Sequence, residues 1–190
     1  MKTRRNAVSL IELMVGLVLV TLVILGLSNI ELFSRNIFFH TDKKIKVQND
    51  VAYVLQHMGK FIARGIADPA NDAINVAPVS PYNANEMVRV WTDSEPDGVL
   101  NTTTDTQVAY IFDPAANEVL FFSDYIGEPA HSERLSANVL HFNVSYNAAR
   151  KNVLAVAISG CANITGCGSP RDNPQVNLST VIFLPSVTSE

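Results

Sequence analysis

The sequence predicts an α+β protein in which one long N-terminal helix, half membrane-spanning and half amphipathic, packs on an antiparallel β-sheet head. Three observations predict it. A twenty-residue apolar run from Val8 to Leu27 carries a single charge, Glu12. A helical period then continues without a proline until Pro69. Short β-rich runs separated by turn residues fill what remains. Of the 190 residues 47% are apolar and only 17% charged, against about 25% charged in a typical globular chain. That excludes a disordered acidic tail, a collagen-like chain and a disulfide-dense mini-protein. Two cysteines, one tryptophan and the four dispersed histidines, His40, His57, His131 and His141, leave little material for a metal enzyme. No cofactor, metal site or catalytic residue is expected.

The net charge of −4 is unevenly spread. Residues 1–7 carry Lys2, Arg4 and Arg5 and no acid, and residues 28–67 carry a net charge of +3. Residues 68–190 hold five bases against fourteen acids. Phosphate binding needs clustered Lys and Arg, so the acidic head is not expected to take nucleic acid as a partner.

At about 1.5 Å per residue the apolar run spans the roughly 30 Å hydrocarbon layer of a bilayer. Three bases precede it, which predicts a cytoplasmic N-terminus, although Lys43, Lys44 and Lys46 on the far side dilute that signal. No small-x-small cleavage site follows the run, so it does not read as a secretory signal. Glu12 is the anomaly. A carboxylate within an apolar span needs a partner or a role, or else it sits at the headgroup boundary where the helix dipole favours it. Both alternatives stand on sequence grounds.

Ser9, Leu10, Ile11, Glu12 and Leu13, with the basic leader Lys2, Arg4 and Arg5 before them and an aliphatic run after them, resemble the cleavage and methylation segment of type IV prepilins and type II secretion pseudopilins. Ala7 stands where the family pattern has Gly, Val8 stands where it has Phe, and the later proline of that helix is absent. The resemblance implies cutting between Ala7 and Val8 by a prepilin peptidase, N-methylation of the new amine, and an assembly role for Glu12 opposite the N-terminal amine of an adjacent subunit. It also implies a pilin-like fold. The parts would be a cleaved leader at 1–7, a transmembrane and assembly helix at 8–28, an amphipathic stalk at 29–67 and an extracytoplasmic head at 68–190. The expected partners are other pilin or pseudopilin subunits, the peptidase and inner-membrane lipid. The spacing of the last three β-rich runs resembles the minor pilins and pseudopilins at filament tips.

In the stalk Val47, Val51, Val54, Leu55, Met58, Phe61 and Ile62 form one apolar stripe at helical spacing. The stripe is expected to dock on the sheet. Gly65 with Asp68-Pro69 gives a stop signal, so one helix would run from about Ser9 to Ile66, roughly 85 Å at 1.5 Å per residue. Phe33, Ile37, Phe38 and Phe39 are apolar almost all round and suit a helix bundle. Gly16, Gly26 and Ser28-Asn29 are points where the helix could bend.

Residues 68–85, rich in Pro, Asn and Ala, read as a loop into the head. Strands are predicted at 87–91, 107–112, 118–122, 138–146, 153–158 and 178–184, in a single antiparallel sheet. Asp113-Pro-Ala-Ala-Asn117 reads as a hairpin connection. Cys161 and Cys167 lie six apart in a Gly- and Asn-rich loop. An oxidising exterior would join them; free thiols or a metal are the alternatives, the metal lacking two further spaced ligands. Asp93-Ser-Glu-Pro-Asp-Gly98 imitates the start of a calcium loop, but Pro96 and Thr104 break the pattern. A solvated turn is the alternative. Phosphate loops, nucleophile elbows and paired carboxylates are not found.

Overall fold

The computed structural model describes residues 9–67, 72–77, 86–95, 97–126, 131–146, 152–169 and 173–184. The leader, the Ala7–Val8 junction, Pro96 and most of the loop expected at 68–85 lie outside the described residues. The fold is α+β: a long apolar N-terminal helix and antiparallel sheets.

Helix α1 runs unbroken from Leu10–Ile62 for 53 residues. The chain divides into two compact units, Met1–Asp42 and Lys43–Glu190, so the division falls inside α1. In the first unit the helix is almost wholly exposed. In the second its stripe is buried: Val47, Val51, Val54, Leu55, Met58 and Ile62 all face the core, while Phe61 packs partly buried at its edge. The heptad-like spacing therefore predicted the docking face residue by residue.

The helix stops at Ile62, short of the expected end. The Arg64 amide donates to the Phe61 carbonyl at 3.1 Å and the Gly65 amide to the Ile62 carbonyl at 2.9 Å, tightening the last turn. Gly65 then pairs with Thr92 in an isolated bridge, and the Ile66 amide donates to the Trp91 carbonyl. At Gly65 and Ile66 the backbone thus bonds to the β-structure instead of continuing the helix.

Among the described residues the head holds eight strands: β1 (Ile74–Asn75), β2 (Met87–Thr92), β3 (Thr106–Asp113), β4 (Glu118–Phe122), β5 (Glu133–Ala137), β6 (Val139–Tyr146), β7 (Val153–Gly160) and β8 (Val176–Phe183). Six of them were legible. The single expected sheet is instead two, one of five strands in the order β1-β2-β3-β4-β5 and one of three in the order β6-β7-β8. The break falls at Asn138, read from sequence as the first residue of a strand. Its φ of 60° places it in the left-handed region, which Asn tolerates better than most residues. One residue thus turns the chain out of β5 and into β6. Its carbonyl accepts the Cys161 amide at 3.2 Å, while the next amide, of Val139, donates to the Asn117 carbonyl at 2.9 Å. No turn dipeptide marks the corner, and β5 (Glu-Arg-Leu-Ser-Ala) is polar enough to miss. β1 is only two residues, inside the expected loop, and pairs Ile74 with Val90.

The two sheets share one core. Val88, Val90, Val108, Tyr110, Phe112 and Phe121 of the first sheet, and Phe142, Val144, Leu154, Val156 and Ile158 of the second, all cluster with the α1 stripe. β3 is buried along nearly its whole length, because Ala109 and Ile111 on its other face join Met87 and Phe122 in a second, smaller apolar cluster. The predicted hairpin is present. The Asp113 carboxylate accepts the Ala115 amide at 2.9 Å and the Ala116 amide at 3.3 Å, and Asn117 takes a φ of 56°.

Candidate functional site

The sequence points to the start of α1, and its geometry there is a capping box. The Ser9 hydroxyl accepts the Ile11 amide at 3.3 Å, and the Glu12 carboxylate reaches back to accept the Ser9 amide at 2.9 Å. Two backbone donors that no helical carbonyl can reach are satisfied by side chains. The anionic carboxylate lies in the first turn, where the helix dipole is positive. The Ser9 amide is a partner for Glu12 within its own chain, which neither alternative named. The signal was in the sequence, as Ser-x-x-Glu before an apolar run, and was missed because the same four residues were read as a processing motif. The Ala7–Val8 junction lies outside the described residues, and Ser9 is the nearest described residue to it.

From Leu13 to Leu27 the helix surface is apolar on every side. Leu13, Leu17, Leu22, Leu25 and Leu32 are all more than half exposed. This one helix is long and apolar enough to cross a membrane, and none of its most apolar stretch is buried within the protein. The two hydroxyls in that stretch turn inward on their own helix. Thr21 donates to the Val18 carbonyl at 2.8 Å and Ser28 to the Ile24 carbonyl at 2.9 Å, so no side-chain hydroxyl is left without a partner in an apolar medium. A Cβ added at Gly16 or Gly26 would meet nothing, and the helix is unbroken at both and at Ser28-Asn29. Glu31 and Arg35 close the stretch with an exposed ion pair at 2.6 Å, worth only a few tenths of a kcal/mol. Phe33 within this pair and Phe38 and Phe39 beyond it are each about 70% exposed, so exposed apolar side chains extend past the charged pair.

The other candidate residues lie in the second unit. Cys161 and Cys167 form a disulfide, their Cα atoms 5.9 Å apart. Asn173, nearly buried, pins the ring. Its side-chain oxygen accepts the Asn163 amide at 3.0 Å and its amide nitrogen donates to the Asn163 and Thr165 carbonyls. The Asp93 turn spends its acids on backbone. Asp93 accepts the Gly98 amide at 2.9 Å and Asp97 the Val99 amide at 2.8 Å, while the buried Asp105 takes the amides of Ser94 and Asn101. Among the described residues no group of three or more His, Cys, Asp or Glu gathers as metal ligands.

His57, one of four histidines read as dispersed, is held among aromatic side chains. On α1 it lies between Tyr53 and Phe61, stacking on Phe61 at 4.7 Å and meeting Phe121 edge-on at 4.7 Å. Its Nδ1 is 3.0 Å from the Tyr110 hydroxyl, which donates to the His57 carbonyl at 3.3 Å. Burial lowers the His57 pKa from its ordinary value of 6.5, the Glu133 carboxylate opposes the shift and Lys60 adds to it. Burial also holds the Tyr110 phenol well above its ordinary value. This is a packing arrangement that locks helix to sheet, and α1 spacing alone could not reveal its partner on β3.

No family model matches the chain, and neither does any curated protein or solved structure.

Proposed function

We propose that the chain is a minor structural subunit of a type IV pilus or of a related filament such as a type II secretion pseudopilus. In this reading it is inserted in the inner membrane with its N-terminus cytoplasmic and its head periplasmic. A prepilin peptidase cuts between Ala7 and Val8, and the subunit assembles with other pilin-type subunits through the first half of α1. It is a structural and not a catalytic role. The observation that carries it is the opening stretch of α1, residues 10–27: apolar on all sides and exposed, with one carboxylate, Glu12, at its start. A lone transmembrane anchor does not require that acid. In a bundle, a carboxylate and a neighbour's amine both removed from water offset each other's desolvation and favour one register over slipped packings.

One observation favours a second reading, a stationary single-span protein whose head binds a ligand. Glu12 already has a partner in the Ser9 amide, so it does not need another chain. Mass spectrometry of the mature protein separates the two. A chain beginning at N-methylated Val8 supports the filament subunit, and an intact Met1 supports the anchor. A Glu12→Ala chain entering filaments as efficiently as wild type would remove the assembly role.

A further inference from the structure

The outward face of the β6-β7-β8 sheet carries a trough that the filament reading does not use. Pairing puts Ser159, Ala157 and Ala155 in line along the central strand β7. These small side chains form the floor. His141, Asn143 and Ser145 of β6 stand on one side and Asn177, Ser179 and Val181 of β8 on the other. Two open depressions of about 340 and 400 Å³ lie here, sharing Asn143, Ala157 and Ser179, and so form one continuous groove. With neighbouring strands about 4.8 Å apart, the walls stand roughly 10 Å from each other. The floor from Ser159 to Ala155 runs about 14 Å.

A second observation points to an occupant. Ser159 is 7% exposed, and its hydroxyl, at the floor of this groove, has no hydrogen-bond partner. A buried hydroxyl left unpaired costs about 1–3 kcal/mol, so a face that keeps one has either a reason or a ligand. In the ladder it lies between His141 and Asn177, both exposed side chains.

The chemistry of the groove selects the class of ligand. No Lys, Arg, Asp or Glu lines it, which disfavours phosphates, nucleic acid and charged peptides. Between His141 at one end and Val181 at the other, the walls are amides and hydroxyls, groups that each donate and accept, and this matches a ligand whose own groups do both. The alanine floor is flat and apolar and suits the C–H face of a sugar ring. An extended peptide is recognised through a free sheet edge and pockets for alternate side chains. This face offers neither, since the backbone of β7 is spent on β6 and β8. We infer that the groove is a binding site for a neutral oligosaccharide, its rings lying on Ala155 and Ala157 and its hydroxyls bonded by Asn143, Asn177 and Ser159. The site stands whether or not the chain enters a filament.

The test uses the full chain in a zwitterionic detergent, because a glycosidic detergent would compete. Alanine methyls are labelled, and the Ala155 and Ala157 signals are followed by NMR while cellotetraose, maltotetraose and chitotetraose are titrated separately. At least one sugar is expected to move both methyls saturably, with a millimolar or tighter Kd. Asn143→Ala, and Ala157→Leu read from the Ala155 methyl, each weaken that binding about tenfold with an unchanged thermal midpoint. Both positions are exposed, so neither change threatens the fold. The inference is overturned if no sugar moves the methyls, or if both variants bind as wild type does. It is equally overturned if an uncharged octapeptide shifts the same signals and the sugars do not.

Discussion

Gly65→Ala tests whether the exit of α1 is as tightly packed as its geometry requires. A Cβ at Gly65 would lie 2.6 Å from Leu184 Cδ2, 2.9 Å from Val90 Cγ1 and 3.1 Å from the Ile62 carbonyl oxygen. Carbon atoms in contact prefer about 3.5–4.0 Å, so the nearest approach is short by roughly 1 Å. Leu184 and Val90 are both fully buried, and neither can swing into solvent to make room. Overpacking of this kind costs about 1–3 kcal/mol, or about 2–4 °C of melting temperature per kcal/mol at this chain length. Leu184→Ala alone costs about 2–5 kcal/mol through the cavity it leaves. In the double variant the new methyl at 65 occupies part of that cavity, so the two losses should fall short of additive by about 0.5–3 kcal/mol. Urea unfolding of the full chain in detergent, followed by near-UV circular dichroism, measures all four corners of the cycle. A Gly65→Ala loss within about 0.5 kcal/mol of wild type would refute the packing argument, and so would losses that simply add.

Three further outcomes follow from the same structure. His57 has a folded-state pKa below its unfolded value of 6.5, so its neutral form stabilises the fold fully above that value. That contribution is lost as the pH falls through the lowered pKa, because the unfolded chain binds the proton more readily. Its neighbours Tyr53, Lys60, Tyr110 and Glu133 stay in place in His57→Gln, which should therefore lose less stability than wild type between neutral and acidic pH; identical pH profiles would count against a half-buried imidazole held neutral. Reducing the Cys161–Cys167 ring, or replacing both cysteines by serine, should lower stability by about 2 kcal/mol on loop-closure entropy, and unchanged urea unfolding would show that the Asn173 contacts alone hold the loop. Ser9→Ala removes a helix cap worth about 0.5–2 kcal/mol without touching Glu12; if it blocked filament entry as Glu12→Ala is expected to, the carboxylate would act through the cap and not through a neighbouring subunit.

Legibility followed the range of the interactions concerned. The docking stripe from Val47 to Ile62 was readable because helix periodicity is a local property, and burial confirmed each position save the half-buried Phe61. Six strands were readable from alternation and turn residues, and so was the Asp113–Asn117 hairpin, whose turn is closed by its own side chain. β5 was missed because it is short and polar, and its pairing with β4 carries a register shift at Val119/Leu120. The end of α1 was misplaced because Gly65 serves a close approach to Val90 and Leu184, a requirement set by residues far along the chain. At the candidate site the motif drew attention to Glu12 but concealed its simplest partner, three residues away.

The sequence by itself determined the apolar helix, its single acid, the buried stripe and most of the strands, because each rests on contacts within a few residues or on a repeating pattern. Only the tertiary structure decided that the strands form two sheets, that Asn138 is the corner between them and that His57 meets Tyr110. It also decided that Ser159 keeps an unpaired hydroxyl beneath a groove of small residues. Those outcomes depend on which distant segments come to share one core, and local preference does not encode that choice.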